Sequence, residues 1–401
     1  MTDQPLTILC LATDPKGYPL LREFKRQGAY VILLTREKWR GADWPWESLD
    51  EVHFRPDLRT QPDVTLHVAS LARQRSLDKI IALDDYDVET VAALRAHLQI
   101  DGMLETTARR FRDKLAMRVQ ARRAGILVPD FVGAVNGAEI ADFLGRVPPP
   151  WMLKPRDEAG AIGIRKLNAE QEVWDSLNSL GDRYSYYLLE QFIEGDVFHV
   201  DSIVADGRVL FTIVNQYGRP PMSVLHQGGI FSSFTLPRRS ETAQALSVLG
   251  REVVAALGLE RGVTHTEFIR RRTGGRLYFL ETAARVGGAH LDRLIEAATG
   301  LNPWTEWARL ELAYLRGESY HGPPAREDYA GLLICLARQE CPDLSAYDAP
   351  EVVWRLAEDH HAGLLVASPD ADRVQALLAE YSGRFANDFL AVQPPPDKGD
   401  R

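Results

Sequence analysis

Residues 151–164 read WMLKPRDEAGAIGI: an apolar run ending on Lys154, a proline, then a loop of small residues containing Gly160, Ala161 and Gly163. The run from Trp151 has strand character. An ammonium at the end of such a strand acts as a point charge, and successive backbone N–H groups of a small-residue loop cradle anionic oxygens. Polyphosphate is the ligand this segment suits, and a surface hairpin is the alternative reading of the same residues.

Downstream, two acids fall on neighbouring strands of one hairpin, Glu267 in THTEFIR and Glu281 in LYFLETAARVGG, joined by a TGG turn. Both follow apolar residues in strand alternation, which sets their carboxylates among buried neighbours and costs free energy unless a cation or metal neutralises them. Mg²⁺ bridging the two carboxylates to phosphate oxygens accounts for the pair. A structural salt bridge to Arg270 or Arg285 accounts for it equally. His265, two residues before Glu267, shares its strand face and either lines a site or satisfies a buried partner.

Upstream, apolar strands at Leu6–Ala12, Tyr30–Thr35 and Lys79–Leu83 alternate with the amphipathic helices LLREFKRQG and DDYDVETVAALRAHLQI. Such alternation predicts an open parallel sheet with crossover helices over the first hundred residues. The turn TDPKGY after the first strand lacks the G-x-G-x-x-G of dinucleotide folds, which argues against nicotinamide or flavin chemistry. The DDYD at 84–87 stands where open sheets place ligands, and it also reads as a helix N-cap. A single long helix is expected from Thr106 to Ala124, carrying Arg109, Arg110, Arg112, Lys114, Arg118, Arg122 and Arg123.

The middle of the chain is hairpin-rich, with strands at Tyr186–Phe192 and Phe198–Val204, a DGRVL turn, a glycine-rich loop HQGGIFSSF and a helix over 242–257. Beyond Asp328 come three more strands (GLLICLA, EVVWRLA, AGLLVAS), a helix over 370–381 and a tail QPPPDKGDR expected to be disordered.

Composition bounds the function. With 401 residues, 45% hydrophobic and 26% charged, the chain can bury a large core in several units, which excludes collagen-like, disordered and disulfide-stapled classes. Lys plus Arg number 47 against 56 Asp plus Glu, a net charge of -9, so nucleic acid is not the expected partner. Cys10, Cys335 and Cys341 are odd in number and show no metal-ligand spacing, which fits a reducing compartment. Neither a basic leader nor an apolar stretch of about 18 residues is visible, so a cytoplasmic protein with no membrane partner is expected.

The order of these pieces is specific: Lys114 on a basic helix, Lys154 with its glycine loop, LLEQFI, the Glu267 and Glu281 pair, then Arg285 with Gly287 and Gly288. In that order the chain resembles the ATP-grasp superfamily of carboxylate ligases, in its L-amino-acid-ligase and biotin-carboxylase-like branches. The resemblance implies a multidomain α/β and α+β protein. A pre-ATP-grasp α/β domain would occupy 1–105, the small subdomain with the phosphate loop 106–188, and the large subdomain with the metal site 189–325. A mixed C-terminal α+β subdomain would follow over 326–393, with the tail at 394–401.

By motif position, the resemblance gives Lys114 and Lys154 to the nucleotide phosphates, with the loop of Gly160, Ala161 and Gly163 folded over them. It gives Glu190 to the adenine amino group, and the backbone of Gln191 and Ile193 to the ring edge. Glu267 and Glu281 would hold Mg²⁺, or Mn²⁺ in its place, and Arg285 would steady the transferred phosphoryl group or the substrate carboxylate. His226 is implied in substrate contact, joining Arg285 and Lys154 as catalytic candidates, while Arg109, Arg112 and Arg118 would form a solvated basic face.

Three departures stand out. Ala283 replaces an amide ligand, Val197 stands where a ribose-binding glutamate is expected, leaving Asp196 or His199 as substitutes, and Ala161 replaces a serine. The implied reaction uses ATP to turn a small-molecule carboxylate, such as an amino acid, into an acyl phosphate that an amine attacks. A carboxyphosphate-forming enzyme and a non-catalytic ATP-binding regulator are the alternatives, and a homodimer is the commonest assembly at this size.

Overall fold

A computed structural model describes residues 4–391. The expected tail at 394–401 lies outside the described residues. The N-terminal unit is a parallel sheet of β1 (Thr7–Ala12), β2 (Tyr30–Arg36), β3 (Glu51–Arg55) and β4 (Lys79–Ala82), in the order β3-β2-β1-β4. Every residue of β1 is buried, as a strand covered on both faces must be. The sequence reading missed β3 and the helix Asp63–Gln74 that follows it. β3 reads EVHFR and is only partly buried along its whole length at the sheet edge, so it shows no apolar run.

The single helix expected over 106–124 is two helices, Glu105–Arg110 and Lys114–Arg123. Asp113 divides them: its carboxylate accepts from the Leu115 and Ala116 amides at 2.9 and 3.3 Å, capping the second helix. The Lys114 amide, freed from a helical partner, donates to Arg156 O at 2.8 Å and ties the break to the phosphate loop. Nor is the basic run a solvated face. Arg109 is exposed, but Arg112 and Lys114 are buried and Arg118 is only 1% exposed.

A small antiparallel sheet follows, made of β5 (Phe131–Gly133), β6 (Trp151–Pro155), β7 (Arg165–Leu167) and β8 (Tyr187–Gln191) in the order β5-β8-β6-β7. The largest sheet has eight strands: β9 (Gly195–Ala205), β10 (Arg208–Tyr217), β11 (Phe231–Thr235), β12 (Gly262–Arg271), β13 (Leu277–Ala283), β14 (Tyr329–Leu336), β15 (Val352–Arg355) and β16 (His361–Ser368). Its order is β13-β12-β9-β10-β11-β14-β16-β15, so the strands beyond residue 328 extend this same sheet. The last helix, Ala371–Asp388, runs a further two turns past the expected end.

Helix Glu241–Leu257 covers one face of the large sheet, packing Leu246, Val253 and Val254 onto Phe198, Val200 and Phe268. Gly250 makes the approach possible, since a Cβ there would stand 2.9 Å from the Val200 side chain. Alternation along β9 and β12 therefore turns His199, Asp201, His265 and Glu267 to the other face. The segment before β11, read as a loop, contains a short helix, Pro221–Gln227.

Candidate active site

Lys154, partly buried next to the end of β6, forms a close ion pair with Glu190 of β8. The other oxygen of Glu190 accepts from Arg118 Nε and Nη2 at 3.1 and 3.0 Å. Burial alone would push the Glu190 carboxyl up, but Arg118 and Lys154 outweigh it and hold the group below its usual range. Arg118 also donates to the Leu280 carbonyl beside Glu281, so one buried guanidinium joins the small sheet to the hairpin of β12 and β13. The glycine loop beyond Lys154 is left-handed at three positions, with φ of 63° at Gly160, 60° at Ala161 and 71° at Gly163. At Gly163 a Cβ would also collide with Pro155 at 2.9 Å. Arg112 and Lys114 anchor the start of this loop through the carbonyls of Asp157 and Glu158.

Glu267 and Glu281 are directly opposed in the register of β12 and β13. Neither takes the salt bridge to Arg270 or Arg285 that would have explained them structurally: Arg270 pairs with Asp196, and Arg285 with Asp85. Glu281 is a third exposed and lies 3.4 Å from Lys114 Nζ, which joins the acidic pair to the phosphate corner. Glu267 accepts from Tyr217 Oη at 2.9 Å and lies 3.6 Å from His265 Nε2. Behind it, Asp201 bonds both His265 (2.8 Å) and His199 (2.6 Å), and the far nitrogen of His199 meets Ser233 at 2.7 Å. Burial works against a charged His265, yet Asp201 and Glu267 raise it to about 9, so it is an imidazolium at neutral pH. Burial wins at His199, which is lowered.

Arg285 is turned toward the N-terminal sheet. Its Nε donates to Asp85 at 2.7 Å and its Nη1 to Val286 O at 2.7 Å. Asp85 is buried, which alone would raise its carboxyl, but Arg285 and Arg112 bring it down to about 2. Asp84 caps the turn by accepting from the Tyr86 amide at 3.2 Å, and Tyr86 Oη bonds Glu158 of the glycine loop at 3.0 Å. The DDYD segment is thus an N-cap and also a wall of the site.

Two lysines, a left-handed glycine loop and two opposed carboxylates now stand within one connected network. Residues 147–292, which contain Lys154, the loop, Glu267, Glu281 and Arg285, match the family described as an ATP-grasp domain. This part of the chain is an ATP-grasp domain. An L-arginine-specific L-amino acid ligase from Bacillus subtilis is 28% identical over 280 residues, covering 68% of this chain and 67% of that protein. A D-alanine–D-alanine ligase from Marinobacter nauticus is 30% identical over 88 residues, 22% of this chain and 27% of that one. Among solved structures, an L-amino acid ligase from Bacillus licheniformis aligns over 98% of this chain and 99% of its own, with a TM-score of 0.77 at 17% identity. N5-carboxyaminoimidazole synthetase from Staphylococcus aureus, complexed with ADP, covers 95% of this chain and 99% of its own at TM-score 0.72 and 13% identity. The relatives and the first of these structural neighbours are ligases by name.

The structure brings together Lys114, Lys154, Glu190, Glu267 and Glu281, and it shows what already engages several of the other expected residues. The Glu190 carboxylate, expected at the adenine amino group, is engaged by Arg118 and Lys154. The Gln191 amide already donates to Asp130 O at 2.7 Å, while Ile193 packs its side chain with Val197 and Tyr217. His199 has both ring nitrogens bonded and is fully buried, which removes it as a ribose ligand. Asp196 is half exposed and pairs with Arg270 at 3.1 Å. His226 is exposed on the last turn of the helix Pro221–Gln227, and no hydrogen bond or ion pair joins it to the cluster among the described residues. Ala283 lies opposite His265 in the strand register.

Sequence reasoning missed Arg118, Asp201 and Tyr217 as members of the site, whereas Asp85 lies in the DDYD segment it had singled out. One signal was available: Lys114 and Arg118 are four residues apart, so a buried Lys114 carries Arg118 inward on the same helix face.

Proposed function

We propose that this protein is an ATP-dependent carboxylate–amine ligase that activates a small-molecule carboxylate, an amino acid, as its acyl phosphate and joins it to an amine, releasing ADP and phosphate. The observation that carries this reading is Lys114, which stands at once against the glycine loop and 3.4 Å from Glu281. It makes one site of the cation-and-loop half and the paired-carboxylate half.

The donor set suits Mg²⁺ or Mn²⁺, because Glu267 and Glu281 offer opposed hard oxygens and no soft ligand accompanies them. Such an ion, when bound, would neutralise phosphate oxygens and hold them for in-line attack. The chain's own residues supply the rest. Lys154 and Lys114 balance phosphate charge, and the backbone N–H groups of 160–163 close over the oxygens. Arg285, steadied by Asp85, faces the growing charge or the substrate carboxylate. The carboxylate oxygen attacks the γ-phosphorus as ADP leaves. The amine nitrogen then attacks the acyl carbon, phosphate leaves, and the amine gives up its proton. No covalent bond to the protein is needed. Positioning, charge neutralisation and exclusion of water from the acyl phosphate supply the acceleration.

Phosphate release across pairs of amino acids tests the proposal. Substrate-dependent phosphate with formation of an amide, lost in Lys154→Ala, is the expected result. Release that depends on bicarbonate and on no amino acid would make this a carboxyphosphate-forming enzyme, and tight ATP binding without turnover would make it a regulator. Three free thiols, two of them buried, fit action in the reducing cytoplasm on small molecules.

A further inference from the structure

Away from this site lies a cavity of about 310 Å³ between the N-terminal sheet and the start of β12. Ala284 lines it, whereas its neighbour Arg285 is turned to Asp85, so the cavity is separate from the phosphate corner. Its volume is at the lower end of the roughly 300–1,000 Å³ typical of small-molecule pockets.

One wall is charged. Lys79, Arg95 and Arg261 all line the cavity, and each is at least nine-tenths buried. Against these three cations stands one buried carboxylate, Glu311, 2.8 Å from Lys79 Nζ and 3.4 Å from Arg261 Nε. Arg261 also reaches Asp101 at 2.8 Å, but Asp101 is 61% exposed, and the lining Glu260 is exposed too. Arg95 spends its guanidinium only on the carbonyls of Ile80 and Met103, which satisfy its N–H groups without neutralising its charge. Arg261 Nε and Glu311 Oε2 are both buried and face each other at 3.4 Å, longer than a good hydrogen bond. Burial lowers Lys79 and brings Arg95 down to about 10, with Glu311 opposing the shift at both. The lining also includes the apolar side chains of Val88, Val91, Met103, Leu259 and Trp307.

A buried surplus of positive charge costs free energy that an entering anion would recover. A buried guanidinium beside an ammonium matches a carboxylate, and the apolar part of the lining matches a compact hydrocarbon body. We propose that this cavity is a binding site for a small monocarboxylate with an apolar body, separate from the nucleotide site.

Isothermal titration of the full chain with 3-phenylpropanoate, its neutral amide and inorganic phosphate tests the site. The carboxylate is expected to bind one per chain, at least tenfold tighter than the amide or phosphate, with the Kd for ADP unchanged. Thr107→Trp, which fills the mouth from a half-buried position, should abolish the carboxylate heat, and Arg261→Gln should weaken it at least tenfold. Both variants should keep wild-type ADP binding. Absence of saturable heat in the wild type, equal binding of the amide, tighter binding of phosphate, or carboxylate binding that survives Thr107→Trp would each overturn the proposal.

Discussion

Removing the Glu190 carboxylate is the sharpest test of how the phosphate corner is held. Its two oxygens face Arg118 on one side and Lys154 on the other, with Arg118 1% exposed and Lys154 12% exposed. Glu190→Ala leaves both cations buried without a counter-charge, and breaking a buried ion pair by deleting one partner costs about 3–5 kcal/mol. Glu190→Gln keeps the shape and one acceptor, so its cost should be intermediate. Urea unfolding followed by tryptophan emission measures both. The pH dependence adds a second constraint. Glu190 is held below its ordinary value, so its contribution is fully present above the unfolded carboxylate pKa of about 4.3 and is lost as pH falls through the lower folded value. The difference between wild type and Glu190→Ala should therefore be constant from pH 6 to 8 and shrink only in acid. A Glu190→Ala cost under about 1 kcal/mol at pH 7, or a loss centred near neutrality, would refute the idea that this triad carries the corner.

Four further outcomes are expected. Lys114→Ala and Lys154→Ala should each weaken ADP binding about 10- to 100-fold, the range for a hydrogen bond to a charged group, as read by calorimetry. Glu267→Gln and Glu281→Gln should raise the Mg²⁺ concentration for half-maximal phosphate release at least tenfold, whereas Tyr217→Phe, losing one hydrogen bond to Glu267, should cost only about fivefold. Asp85→Asn should lower kcat while leaving nucleotide affinity near wild type. Because Asp85 titrates at about 2, its pairing with Arg285 should be insensitive to pH from 5 to 8 in the wild type. His265 is raised to about 9, so its ion pairing stabilises fully below about pH 6.5 and fades as pH rises through about 9. Asp201→Asn should move that loss to lower pH in a thermal-melt series.

The strands that carry chemistry were legible because they are buried runs with strong alternation: β1, β2, β6, β9, β12 and β13 all fall where apolar patterning puts them. The opposed Glu267 and Glu281 follow from one tight hairpin, in which the turn sets the register. What escaped depends on tertiary contact. β3 lies at an edge and needs no apolar face, and the break at Asp113 interrupts a sequence whose helical period continues across it. The roles of His199 and Glu190 escaped for a different reason. A motif position names a residue, but whether its atoms are free is decided by neighbours such as Ser233, Arg118 and Lys154 on other elements.

The basic run makes the point in one stretch of chain. From the sequence its seven cations are interchangeable, and a helix rich in arginine reads by default as a solvated face. In the folded protein each innermost cation has an acceptor distant in sequence. Arg112 meets Asp157, Lys114 meets Glu158 and Glu281, and Arg118 meets Glu190 and Leu280, while Arg109 and Arg123 stay in water. Burying three cations within seven residues would be prohibitive on a free helix. It becomes favourable here because Asp113 breaks the helix and the carboxylates at 190 and 281 arrive from two other sheets. Glu190 neutralises Arg118 and shares Lys154, so the charge at the mouth is left to Lys114 and the loop. A corner assembled this way holds its cations in place through acids from other parts of the chain, which a solvated basic face would not need.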